Sequence, residues 1–119
     1  MFEKDILSEH LWIKEFPGSI IVCDQDGLIL EMNDKAAKGY ESEGGLGLIG
    51  SNLLDCHPEQ ARKKVEEMLV TREANIYTIE KKGIKKLVYQ HPWYKDGQYA
   101  GIVEIVLEIP FELPHFIRS

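Results

Sequence analysis

Three short glycine-containing turns divide much of this chain into apolar, β-branched segments, and these turns most constrain its fold. They lie at residues 24–27 (Asp-Gln-Asp-Gly), 82–83 (Lys-Gly) and 95–98 (Lys-Asp-Gly-Gln). Glycine can adopt a positive φ there, and such turns between apolar segments indicate β-hairpins. Because a hairpin joins two strands that run in opposite directions, the sequence predicts an antiparallel sheet.

The segments around these turns are predicted to form five strands, over residues 19–23, 28–32, 76–81, 87–93 and 99–109. Successive side chains of a strand point to opposite faces of the sheet. In the last strand, Val103 and Ile105 belong to a wholly apolar face, whereas Glu104 and Glu108 belong to a mixed one. We therefore expect the Val103 face to be turned towards the helices and the Glu104 face to be partly exposed.

Three helices are predicted around these strands. The first covers residues 3–15, where Leu7 and Leu11 share a face, and a short second helix follows the capping pair Asn33-Asp34. The third begins near Pro58, a residue suited to a first helical turn, and its apolar stripe is Ala61, Val65, Met68 and Leu69. Residues 41–50 contain four glycines and are predicted to form a flexible connection. This order predicts an α+β fold, with helices packed on one face of the sheet and a cavity between the two layers.

Size and charge exclude several classes of function. The chain has 119 residues, enough for one domain, and 20 acidic against 14 basic residues give a net charge of −6. This balance argues against nucleic acid and anionic membrane surfaces as partners, since both attract basic proteins. The apolar runs are far shorter than the roughly 20 residues that span a bilayer. Two cysteines and an N-terminus without a visible secretion signal indicate a cytoplasmic setting.

Several segments, taken in order, resemble the PAS sensor family. The Asn-x-x-Ala pattern at Asn33 and Ala36 belongs to this resemblance, and the other matching segments are residues 16–27, 39–40, 48–53 and 96–106. Together they extend over about residues 12–109. The resemblance implies one PAS-like domain with a five-stranded antiparallel sheet and helices packed on one face. Its parts would be an N-terminal helix (1–15), a PAS core (16–109) and a C-terminal tail (110–119).

The same resemblance implies a non-catalytic role in signal transduction. Such a domain would bind a small molecule or a partner, form a homodimer through its N-terminal helix and the sheet, and relay a conformational change to an output protein or domain. A domain that only dimerises, with a side-chain-filled interior and no ligand, is a second interpretation. A third is a small α+β enzyme of the isomerase or dehydratase type, with His57 or His91 as its base.

Ten residues are predicted to line the ligand site, chosen by their position and by the strand or helix face they share. They are Val22, Leu30, Leu53, His57, Val65, Leu69, Tyr89, His91, Val103 and Ile105. Tyr89, His91 and Trp93 alternate by two and could form the floor of the site. Aromatic packing within the sheet, without ligand contact, is the alternative interpretation.

Cofactor chemistry centres on the cluster Cys56-His57-Pro58. His57 could ligate a haem iron, as the resemblance to haem-binding PAS relatives implies, or it could simply cap the helix that follows. Flavin photochemistry is disfavoured, because light-sensing relatives carry a cysteine directly after a Gly-x-Asn element. Here Leu53 follows that element, at residues 50–52, and Cys56 comes three residues later. The G-x-G-x-x-G pattern at residues 45–50 lacks the preceding strand that a dinucleotide site needs.

Overall fold

The computed structural model describes residues 11–56 and 59–119, which form a five-stranded antiparallel sheet with two helices packed on one face and a short helix against the other. The order of strands across the sheet is β2-β1-β5-β4-β3. The helices are α1 (Leu11–Lys14), α2 (Asp34–Gly39) and α3 (Glu59–Thr71), and the strands are β1 (Ser19–Asp24), β2 (Ile29–Met32), β3 (Asn75–Lys81), β4 (Ile84–Lys95) and β5 (Gln98–Ile109). The α+β class and the antiparallel sheet predicted from the turns are confirmed.

The turn between β1 and β2 shows why the acidic-glycine sequence forms a hairpin. The carboxylate of Asp24 accepts hydrogen bonds from the backbone N–H groups of Asp26 and Leu28, both at 2.9 Å. Gly27 has a φ of 87°, a conformation that glycine adopts without steric cost. The predicted second strand begins one residue later than expected, because Leu28 forms only an isolated bridge with Asn52.

The glycine-rich segment 41–50 is more regular than predicted. It contains two 3-10 helices, Glu41–Glu43 and Gly45–Leu48, and a third, Leu53–Cys56, follows it. The backbone N–H of Gly50 donates to the carbonyl of Ile29, which attaches the end of the segment to β2. Short 3-10 turns satisfy backbone groups locally, so the segment is ordered despite its glycines.

Helix α3 packs its apolar stripe on the sheet as predicted. Val65 and Met68 are buried and Leu69 packs against the same core, whereas the side chain of Ala61 lies outside the described part of the chain. The core also includes Ile21 and Cys23 of β1. Of the predicted N-terminal helix, only α1 is described, and residues 3–10 lie outside the described range. None of the described helices is long and apolar enough to cross a membrane.

The strand register determines which face of the sheet the helices cover, and it reverses the prediction. Cys23 pairs with Ile102 and both belong to the core, so the even-numbered side chains of β5 face α3. The Val103 face is therefore the outer one, turned away from α3. That outer face is apolar because α1 lies against part of it. There, Ile20 and Val22 line a cleft together with Leu11 and Ile13 of α1.

Candidate ligand site

A groove lies between the sheet and α3, beside the hydrophobic core. Its floor is formed by β3, β4 and β5, and its wall by Tyr40 and by Lys64 and Val65 of α3. The cavity measures about 450 Å³, and an adjoining cavity of about 530 Å³ continues towards α2. Tyr40 and Val106 line both cavities. A space of this size can hold a small organic ligand.

A chain of hydrogen bonds crosses the floor of this groove. The side-chain amide of Asn75 donates to Gln90 Oε1 at 2.9 Å, and Gln90 Nε2 donates to Glu104 Oε2 at 2.6 Å. The strand register produces this arrangement, because Gln90 lies opposite Asn75 on one side and opposite Glu104 on the other. Gln90 is 7% exposed. The floor of the groove therefore contains an ordered, hydrogen-bonded polar row.

The rows next to this polar one differ in chemistry. Val88 pairs with Tyr77 on β3 and with Val106 on β5, which gives an apolar row two residues further along β4. Lys86 pairs with Glu108 in the row after that. Along the strands, the floor thus changes from polar to apolar and then to charged.

Tyr77 lines the groove, and the pKa of its hydroxyl reflects the burial and charge around it. Burial raises the pKa of its hydroxyl above the ordinary tyrosine value, because the phenolate loses hydration. The carboxylate of Glu104 raises that pKa further, because it repels the phenolate. The pKa of Tyr77 is therefore sensitive to the charge on Glu104.

We predict that Glu104→Gln lowers the pKa of Tyr77 without returning it to about 10, the ordinary value. The folded-state pKa is the higher one, so the stabilisation linked to Tyr77 is complete below about pH 10 and is lost as pH rises through the folded value. An alkaline titration of phenolate absorbance, corrected with Tyr77→Phe, measures the pKa. Glu80→Gln is the control, because Glu80 lies on the opposite face of β3. An equal shift in both glutamine variants would contradict the assignment.

The ten predicted site residues separate into groups in the structure. Leu53, Val65 and Leu69 lie on the helix side, where Val65 lines the groove and the other two belong to the core or pack against it. Leu30 is 43% exposed on β2, and His57 lies outside the described residues. The remaining five lie together on the outer face: Val22, Tyr89, His91, Val103 and Ile105.

The prediction that those five residues face the helices is wrong, because they lie on the opposite face of the sheet. Val22 and His91 both pair with Val103, and Tyr89 pairs with Ile105, so the five share one surface. The prediction assumed that the more apolar face would meet the helices. In the structure, the helix-facing side can include Gln90 and Glu104 because their polar atoms are hydrogen-bonded to each other.

The residues that the prediction missed are the polar ones on the floor of the groove. Gln90 and Glu104 interrupt apolar strands, which is the signal that could have identified them. A polar side chain inside a strand marks either an exposed face or a hydrogen-bonded buried pair. The register, which sequence alone does not provide, distinguishes these cases here.

The predicted haem ligand, His57, lies outside the described residues, so the described lining of the groove is compared with haem chemistry without it. A haem iron needs an axial ligand such as histidine, and none of the described residues that line the groove is a histidine. His91 lies on the outer face, where it stacks on Tyr89 with 5.8 Å between ring centroids. The polar floor at Gln90 and Glu104 also differs from the apolar surroundings that suit a porphyrin.

Comparison with protein-family models and with curated proteins gives no match, whereas solved structures share the fold. The C-terminal domain of a Streptococcus mutans protein is 21% identical, with a TM-score of 0.67, and the match covers 87% of this chain and 84% of that one. The PAS domain of BvgS from Bordetella pertussis is 16% identical, with a TM-score of 0.64 and coverage of 90% and 88%. A sensory box sensor histidine kinase from Vibrio cholerae is 18% identical, with a TM-score of 0.57 and coverage of 93% and 96%. Together with the five-stranded antiparallel sheet and its helix-covered face, these likenesses show that the chain has the PAS fold.

Proposed function

We propose that this chain is a non-catalytic sensory domain of a cytoplasmic signalling system, which binds a small molecule in the groove between the sheet and α3. The observation that carries the proposal is the ordered polar row on the floor of an open cavity. A purely structural interior would be filled by apolar side chains, whereas Asn75, Gln90 and Glu104 keep polar atoms at the cavity surface. The names of two structural neighbours, a PAS domain and a sensor histidine kinase, support a sensory role.

A contact path from the groove to α1 supports a relay function. Tyr40 lines the groove and directly follows α2, and the side chain of Asn33 caps that helix at its other end. The amide of Asn33 also donates to the carbonyl of Ile13 in α1 at 3.1 Å. We propose that a ligand which moves Tyr40 changes the position of α1, and that an output protein or domain responds to α1.

The proposal places no catalysis in the groove. Glu104 accepts a hydrogen bond from the side-chain amide of Gln90, which holds the carboxylate in place and does not itself gain or lose a proton. These groups can orient and bind a ligand. We therefore assign them to recognition.

The ligand claim is tested with two valines of β5 that lie on opposite faces. Val106 lines the groove, whereas Val103 lies on the outer face, and both are half-buried. A compound that raises Tm is first found in a metabolite panel. At a hundred times its Kd, such a ligand stabilises by about 2.7 kcal/mol, which corresponds to several degrees of Tm.

We expect Val106→Phe to abolish this rise in Tm, because the larger ring fills the groove, and Val103→Phe to preserve it. Calorimetric titration of both variants gives the change in Kd, which we expect to be at least tenfold for Val106→Phe. Equal binding by the two variants would refute the location of the site. A broad panel without any stabilising compound would argue against a ligand.

Homodimerisation through α1 is a second candidate function, favoured by the exposed side chains of that helix. Leu11 is 43% exposed and Trp12 is 65% exposed. Large apolar side chains that stay exposed in a single copy are typical of a protein interface. We expect Leu11→Glu to convert a dimer into a monomer in analytical ultracentrifugation, with Glu15→Gln as a control. A mass that stays unchanged in Leu11→Glu would exclude pairing through this helix.

A further inference from the structure

The groove contains two half-buried side chains of opposite charge that lack an ionic partner within the described residues. Glu104 has one hydrogen bond there, the 2.6 Å contact from Gln90. Lys86 forms none of the ion pairs found in that part of the chain, all of which join more exposed side chains. Both residues line the same cavity of about 450 Å³.

These two charges have unused binding capacity. A carboxylate can accept several hydrogen bonds and an ammonium group can donate three. Partial burial removes some of the water that would otherwise satisfy them, so an unpaired charge in a groove is unfavourable. A ligand that carries the complementary groups would restore these contacts in a site of lowered dielectric, where charge-assisted hydrogen bonds are strong.

The strand register keeps the two charges apart. Glu104 lies opposite Gln90, and Lys86 lies four residues from Gln90 along β4, which separates the backbone positions by about 13 Å. Between them is the apolar row of Val88 and Val106. Along the strands, the floor therefore presents the anion of Glu104, an apolar step, and a row in which the cation of Lys86 lies opposite Glu108 of β5.

We propose that the groove selects a small zwitterion, with its ammonium group at Glu104, its carboxylate at Lys86 and a short apolar chain across Val88 and Val106. This inference rests on the proposed ligand-binding function and specifies the chemical class of the ligand. Lys64 on α3 lines the same cavity and adds positive charge to it, although it also pairs with Glu67 at 3.8 Å.

The test measures binding of ω-amino acids of increasing length: 4-aminobutyrate, 6-aminohexanoate and 8-aminooctanoate. Hexanoate and hexylamine serve as probes with one charge. We expect one of the ω-amino acids to bind at least tenfold more tightly than either singly charged probe, because only a zwitterion satisfies both ends. Calorimetry and thermal shift on the whole chain provide the readout.

Variants then assign each end of the ligand. We expect Glu104→Gln to weaken 6-aminohexanoate about tenfold while leaving hexanoate unchanged, and Lys86→Gln to weaken it similarly while leaving hexylamine unchanged. Glu80→Gln and Lys63→Gln make the same charge changes outside the groove and should have no effect. Zwitterion binding that depends on Glu104 and Lys86 supports the inference.

The failures of the two proposals can be distinguished. Suppose that a neutral or singly charged compound binds, is blocked by Val106→Phe, and is insensitive to Glu104→Gln and Lys86→Gln. The zwitterion inference is then wrong and the ligand-binding function stands. If neither these probes nor the metabolite panel bind, both proposals are wrong.

Discussion

Asn33→Ala is expected to lower the free energy of unfolding by about 3 kcal/mol, because it removes a buried side chain that satisfies four backbone groups. Its Oδ1 accepts from the N–H groups of Ile20 at 3.0 Å and Ala36 at 3.1 Å. Its Nδ2 donates to the carbonyls of Gly18 at 2.7 Å and Ile13 at 3.1 Å. Asn33 is 3% exposed, so water cannot readily replace these bonds.

Asn33 connects three elements that the relay proposal requires to move together. It caps α2, holds the start of β1 and contacts the end of α1. Loss of the side chain is therefore expected both to destabilise the fold and to uncouple α1 from the sheet. The second effect should appear as faster hydrogen exchange in residues 11–14 relative to α3.

Urea denaturation measures the first effect. Lys14→Ala is the matched control, because Lys14 also links α1 to α2, through a 3.0 Å ion pair with Asp34 whose two side chains are 61% and 45% exposed. Exposed ion pairs contribute little, so we expect this variant to change stability by at most about 0.5 kcal/mol. An Asn33→Ala variant as stable as Lys14→Ala would contradict the assigned role of Asn33.

Gly101→Ala is expected to have an effect of similar or greater size, at least about 3 kcal/mol, and can prevent folding. Gly101 has a φ of 147°, which L side chains rarely adopt. A Cβ at this position would collide with the backbone carbonyl of Cys23 on the neighbouring strand. That carbonyl also accepts a 2.9 Å hydrogen bond from the indole N–H of Trp93, which pairs with Gly101.

Gly39→Ala is the control for this variant. A Cβ on Gly39 would meet no atom within 4 Å, and its φ lies outside the left-handed region. Because alanine is also the better helix former, we expect Gly39→Ala to be neutral or stabilising by up to about 1 kcal/mol. Thermal unfolding of the two variants compares them directly. Similar Tm values would show that β1 and β5 can separate to accommodate a side chain at residue 101.

The sequence predicted the fold well because its turns carry local information. The Asp-Gly and Lys-Gly turns at residues 26–27, 82–83 and 96–97 determine which strands are neighbours, and all three hairpins form. The apolar stripe of α3 likewise follows from helical spacing, which places Val65 and Met68 against the sheet. These features depend on residues close together in the sequence.

The ligand site was harder to predict because it depends on which face of the sheet packs against α3. Alternation placed Tyr89 with His91 on one face of β4 and Val103 with Ile105 on one face of β5, although a bulge between Trp93 and Tyr94 shifts the register. Alternation cannot show which face meets α3, since both faces of β5 contain apolar side chains. The face that meets α3 is determined by packing between residues that are distant in the sequence. Cys23 of β1, Ile102 of β5 and Met68 of α3, for example, belong to one core.

The central claim is that ligands bind on the helix-facing side of the sheet, at the polar row. The most direct measurement is the NMR signal of side-chain N–H groups during titration with a stabilising compound. The account predicts that the side-chain amide signals of Gln90 and Asn75 shift, while the indole signal of Trp93 on the outer face stays constant. A shift of the Trp93 indole with unchanged Gln90 and Asn75 amides would contradict it.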